Sequence, residues 1–118
     1  MATKYPSHKT QFITYGSQAA NVDCGIAPLI LALWRRRFRT LFCCEGWPEF
    51  INGVTEKAYI TFANEADWFR FVKLYGRFMV WFETCPSRRD GQWSIYFAHR
   101  EIRLLVRRIG QERQLRAE

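Results

Sequence analysis

The segment Asp23–Gly46, DCGIAPLILALWRRRFRTLFCCEG, constrains this chain more than any other. Pro28 lacks an amide hydrogen and fixes its own φ, so it fits only the first turn of a helix. Asp23 stands just ahead of it, as a cap or as a charge facing the positive helix end. Ile26, Leu29, Ile30, Leu33 and Trp34 then recur at the i, i+3, i+4 spacing of a core-facing stripe. Arg35, Arg36 and Arg39 fall on other faces, near the negative end of the dipole. A helix from Gly25 to Phe38 is therefore predicted. A strand from Thr40 to Cys44 follows it, ending at Glu45-Gly46.

Around this unit the pattern alternates between strands and helices. Gln11–Tyr15 is rich in aromatic and β-branched residues and predicts a first strand, followed by a loop over Gly16–Val22. Glu45–Glu56 is a long loop with Pro48 and Asn52-Gly53, and Lys57–Ala63 alternates as a strand. Asn64 caps a second helix, with Asp67 at the capping-box position. Trp68, Phe71, Val72 and Tyr75 make its stripe, and Gly76 ends it. Arg77–Thr84 and Gln92–Ala98 are strands joined by a turn at Asp90-Gly91. A third helix starts near His99. Ile102, Leu105, Val106 and Ile109 share one face of it; Arg100, Arg103 and Arg107 share the other.

Gly110 ends the packed part, which leaves 1–9 and 111–118 as flexible tails of one domain. The predicted class is α+β. Its pattern is a ferredoxin-like, split βαβ antiparallel sheet with an extra C-terminal strand and helix.

Charge narrows the partners. The 118 residues carry a formal net charge of +7, mostly from arginine, whose planar fork suits phosphate and carboxylate groups. Nucleic acid, an anionic nucleotide or an acidic protein surface is the expected partner. No apolar run approaches the about 20 residues of a membrane span. The N-terminus lacks a signal-peptide layout, so the cytoplasm is the expected location. Cys24, Cys43, Cys44 and Cys85 show neither disulfide-rich nor paired metal-ligand spacing. No phosphate loop, dinucleotide fingerprint or serine elbow is present. No cofactor and no metal are expected.

Alternation on the later strands sorts their side chains. Ala58, Ile60, Phe62, Phe78, Val80, Phe82, Trp93, Ile95 and Phe97 face the helices, and Tyr59, Met79, Trp81 and Tyr96 lie on the far face. Flat aromatics on an open sheet, rimmed by arginines, hold single-stranded nucleic acid. A third helix docked over that face turns the same aromatics into core, and its apolar stripe favours this covered arrangement. The candidate anion contacts are Arg35, Arg36, Arg39, Arg88, Arg89, Arg103 and Arg107.

Asp23, Cys44 and Glu45, with Cys43, form an alternative site for a small enzyme or an anionic nucleotide ligand. The strand returns toward the helix start, where a cysteine becomes nucleophilic. No histidine falls in the segment. His8 lies in the tail and His99 at the last helix start, so this end is expected to be structural.

Three resemblances add to this. Ala58-Tyr59-Ile60-Thr61-Phe62 resembles the second half of the aromatic octapeptide of RNA-recognition motifs, with Lys57 where that family has a stacking aromatic. The residues Asp23, Gly25, Ile26, Pro28, Leu29, Leu33, Trp34, Thr40, Cys44 and Gly46, then Tyr59, Ile60 and Phe62, resemble a family of small uncharacterised phage and bacterial proteins. Cys43 replaces that family's serine, and Arg37-Phe38 a glycine-aliphatic pair. Thr40, Cys44 and Gly46 are also similar to a strand of wybutosine-synthesising methyltransferase-like proteins. The phage resemblance implies a host-interaction protein, such as an inhibitor of a nucleic-acid-based defence system. The expected function is a basic, non-catalytic binding protein, with a homodimer through the aromatic face as a further arrangement.

Overall fold

In a computed structural model describing residues 8–51, 54–87 and 92–117, α1 (Ala27–Arg35) starts one residue before Pro28. Its buried stripe is Ala27, Leu29, Ile30, Leu33 and Trp34. Asp23 does not cap it. The cap position is Ile26, which makes no side-chain cap hydrogen bond.

The helix ends in a left-handed turn. Phe38 N–H donates to Leu33 O (3.0 Å) and Arg37 N–H to Trp34 O (2.9 Å), the paired bonds of a Schellman motif. Arg37 takes φ 68°, a conformation that favours glycine. Phe38 and Leu33, the apolar pair that closes such a motif, are fully buried.

The class is α+β. The main sheet has the order β3-β6-β8-β7, from β3 (Thr40–Cys44), β6 (Ala58–Phe62), β8 (Gln92–Phe97) and β7 (Phe82–Ser87). Every neighbouring pair is antiparallel, so β6 and β7 run parallel with β8 between them. The link from β6 to β7 contains α2 (Glu65–Tyr75), which makes a split β-α-β unit. The first predicted strand is β1 (Thr10–Tyr15), which pairs with β2 (Gln18–Asp23) in a separate hairpin rather than entering the main sheet. The expected loop over Gly16–Val22 is thus mostly strand. Gly16-Ser17 turns the hairpin, with Gly16 at φ 60°. The expected loop after Glu45 likewise contains a ladder, β4 (Trp47–Ile51) with β5 (Val54–Glu56). Residues 1–7, Asn52-Gly53, Arg88, Arg89 and Asp90-Gly91 lie outside the described residues.

The fourth strand begins later than the pattern predicted. A 3-10 turn, Gly76–Phe78, extends α2 and delays β7 to Phe82. Gly76 is not a left-handed cap (φ −55°); a Cβ there would press on the Phe82 ring at 3.2 Å. Met79 is consequently buried, and Val80 is 77% exposed, the reverse of the expected faces.

α3 (Glu101–Ala117) runs on through Gly110. It packs on α1, burying Ile102, Leu105 and Ile109, and Arg36 donates to Ile109 O (3.0 Å). α2 is the helix that packs on β6 and β8, from the face of Ala58, Ile60, Phe62, Ile95 and Phe97. Phe38, Phe62, Phe71 and Tyr75 join there in a cluster of tilted and edge-on rings.

The left-handed turn yields a prediction. Arg37→Gly relieves a conformation that costs an L-residue about 1–2 kcal/mol and adds some unfolded-chain entropy. Its unfolding free energy in urea is expected to rise by about 1 kcal/mol, with Arg37→Ala near wild type. A lower midpoint for the glycine variant contradicts this reading of the turn.

Candidate functional site

The start of α1 and the end of β3 are locked by reciprocal backbone-to-carboxylate bonds. Glu45 N–H donates to Asp23 Oδ2 (3.0 Å), and Gly25 N–H donates to Glu45 Oε1 (3.1 Å). Glu45, not Asp23, therefore places its charge at the helix entry. Gly25 is required by this approach, because a Cβ there would overlap the Glu45 carboxylate. The site residues read from the sequence, Asp23, Cys44 and Glu45, are brought together.

Both histidines join them, contrary to the sequence expectation. His8 sits with Nε2 at 3.9 Å from Asp23 Oδ2 and Nδ1 at 3.4 Å from Glu45 Oε1. Its ring stacks on Trp47 with centroids 4.3 Å apart. A carbonyl only accepts, so His99 Nδ1–H donates to Glu45 O (2.7 Å). No spacing signal points to this, since His8 precedes β1 and His99 follows β8. Cys24 N–H donates to Lys9 O (2.8 Å), which draws the His8 segment back along the end of β2. A cavity of about 540 Å³ adjoins the cluster, lined by Gly25, Pro28, Glu45, His99, Arg100 and Arg103 among others.

Cross-strand pairing carries the cluster onto the sheet. Cys44 pairs with Tyr59, Tyr59 with Tyr96, and Tyr96 with Glu83, so these four share one row on the face opposite α2. The rings of Tyr59 and Tyr96 stand 5.5 Å apart and both are half-buried. The next row holds Phe42, 55% exposed, and the mutually bonded hydroxyls of Thr61 and Ser94 (2.7 Å). Lys57 Nζ reaches Glu83 (2.7 Å) and lies 4.8 Å from the centroid of the exposed Trp81 ring. The expectation that α3 covers this face is corrected. Its apolar stripe finds a site on α1 instead, where Leu31, Ala32, Val106 and Ile109 line a cleft of about 360 Å³.

The arginines are spread over several elements. Arg35 is exposed and lies 5.9 Å from the Tyr15 ring centroid, at the edge of the α1–α3 cleft. Arg36 is half-buried and ties α1 to α3, so its role is structural. Arg39 is exposed, and its backbone N–H donates to Asp67 Oδ2 (2.9 Å). Arg103 and Arg107 are exposed on α3. Arg70, which the sequence reading missed, lies 3.8 Å from the Phe38 ring centroid.

The two adjacent thiols differ. Cys43 points to the core face, where burial first and the Asp23 charge second push it from 9.0 up to about 12. It is no nucleophile at neutral pH. Tyr59 is also raised above its ordinary value, by burial and then by Cys44, Cys43, Tyr96 and Asp23. Both groups are neutral in the fold over a range where the unfolded chain ionises them. The contribution of Cys43 is full below pH 9 and is lost as pH climbs from 9 toward 12; that of Tyr59 is lost as pH climbs above the ordinary tyrosine value of 10.0. Stability measured by urea unfolding is expected to fall across that window, and less steeply for Cys43→Val. Equal slopes for the two proteins contradict the assignment.

Among the described residues no helix is long and apolar enough to cross a membrane. No family model, curated protein or solved structure matches the chain.

Proposed function

We infer that this is a basic binding protein that engages single-stranded nucleic acid, with bases on the Tyr59–Tyr96 face and phosphates on arginine side chains. The observation that carries this reading is the docking of α3 on α1, which leaves the tyrosine row without a helix over it. Neighbouring aromatic rings on a sheet give stacking surfaces that accept any base. Trp81 and Phe42 extend the exposed aromatic area, and Lys57 supplies a cation beside Trp81. Arg35, Arg39, Arg103 and Arg107 are the exposed guanidinium groups for backbone contact.

The split β-α-β unit supports a ferredoxin-like kinship confined to β6, α2, β7 and β8. The resemblance to small phage proteins supports a cytoplasmic role in the host against a nucleic-acid-based defence system, where the partner is a nucleic acid or the complex that handles it.

A second reading has its own observation. Asp23, Cys44 and Glu45 have both histidines beside them, next to a cavity of ligand size flanked by Arg100 and Arg103. This suits a small anionic ligand or a catalytic thiol. Rapid alkylation of Cys44 near neutral pH, and loss of function in Cys44→Ser, favour this second reading; an inert Cys44 removes it.

The first reading is tested by fluorescence anisotropy with labelled single-stranded DNA and RNA against a duplex. Single strands are expected to bind, with affinity falling steeply as salt rises. Tyr59→Ala and Tyr96→Ala are each expected to weaken binding by about 5- to 100-fold, as loss of a stacked base does, with Tyr→Phe near wild type. Arg35→Glu with Arg39→Glu is expected to flatten the salt dependence. Absence of any salt-sensitive binding overturns the proposal.

A further inference from the structure

We propose that His8 Nε2, a carboxylate oxygen of Asp23 and Cys44 Sγ form a binding site for a single zinc-class divalent cation at the edge of the sheet. The three donor atoms all lie within 4.8 Å of one another, on the segment before β1, the end of β2 and the end of β3. In a tetrahedral zinc site, with bonds of about 2.0–2.3 Å, donors stand about 3.3–3.7 Å apart. The separation of His8 Nε2 from Asp23 Oδ2, 3.9 Å, is close to that span. Small side-chain rotations complete the convergence.

The surroundings prepare the donors. His8 Nδ1 faces the Glu45 carboxylate, so the ring proton belongs on Nδ1 and the lone pair on Nε2. A carboxylate behind a histidine is the arrangement that orients metal-bound imidazoles. Nε2 is buried and has no hydrogen-bond partner, which is costly for a polar atom with no ligand to satisfy. Stacking on Trp47 fixes the ring plane. Asp23 is held by Glu45 N–H, and Glu45 by Gly25 N–H. The side chains of His8, Asp23 and Glu45 retain only 11%, 16% and 15% exposure.

The donor set selects the ion. One sulfur, one imidazole nitrogen and one carboxylate oxygen suit Zn²⁺ or Co²⁺, whereas Mg²⁺ and Ca²⁺ take oxygen ligands. Cys44 binds as the thiolate, with its proton passing to solvent. Three protein ligands leave a fourth position for water or another ligand. Spacing hid the site, because its ligands come from three separated segments rather than from a paired motif.

The test is titration of the reduced full chain with Co²⁺ alone, followed by competition with Zn²⁺. One equivalent is expected to bind, giving a thiolate-to-cobalt charge-transfer band and d–d bands of tetrahedral intensity. Zn²⁺ is expected to displace Co²⁺ and to raise the thermal midpoint. Cys44→Ser should abolish the charge-transfer band, and His8→Gln and Asp23→Asn should each weaken binding at least tenfold. Cys24→Ser, an exposed thiol outside the cluster, should leave both unchanged. Circular dichroism establishes that each variant is folded. A variant that misfolds is replaced by competition in the wild type, where Zn²⁺ protects Cys44 from alkylation and leaves Cys24 reactive. Failure of Co²⁺ to bind, binding without the charge-transfer band, or unchanged affinity in folded His8→Gln overturns the site.

Discussion

The exchange between Asp23 and Glu45 holds the functional end of this protein together. Each carboxylate accepts a backbone N–H near the other: Glu45 N–H meets Asp23, and Gly25 N–H meets Glu45. Hydrogen bonds to charged acceptors are stronger than neutral ones, and these two lie in a half-buried setting. They pin the entry of α1 to the exit of β3. Other contacts build on that junction. Glu45 also faces His8 through its side chain and accepts from His99 through its carbonyl, so one residue gathers histidines from both ends of the chain. Gly25 permits the approach by having no Cβ.

The opposite end of α1 solves a different problem. The chain must reverse from helix into β3, and it does so through a left-handed Arg37 with Phe38 buried against Leu33. Phe38 then serves three partners, Phe62, Phe71 and Tyr75, and carries Arg70 on its face. Strain at one surface residue is thus tolerated because the next one seeds the aromatic core. Trp34 Nε1–H donating to Thr40 Oγ1 (2.9 Å) closes the same turn and satisfies an otherwise buried donor.

The placement of α3 decides what kind of surface the protein presents. Its stripe is satisfied on α1, so the sheet keeps one face packed by α2 and one face lined by Phe42, Cys44, Tyr59 and Tyr96. Antiparallel sheets tolerate such two-sidedness. The aromatic row meets the His8–Asp23–Cys44 cluster at its β3 edge, while Arg35 and Arg103 line cavities on the α1–α3 side.

By itself the sequence determined the local elements that periodicity and caps dictate. Pro28 and the stripe of α1, the Thr40–Cys44 strand, the alternation of β6, and Asn64 accepting from Asp67 N–H (2.8 Å) were all legible, because each rests on neighbours within a few residues. β2 was not, since Ala, Asn and Asp have low strand propensity and its pairing with β1 supplies the order. β7 was misplaced because the 3-10 turn after α2 shifts the alternation. Tertiary structure alone decided which face α3 covers, that His8 meets Asp23, Cys44 and Glu45, and that His99 meets Glu45. Those outcomes depend on contacts between segments far apart in the chain, and no spacing within a segment encodes where such a segment docks.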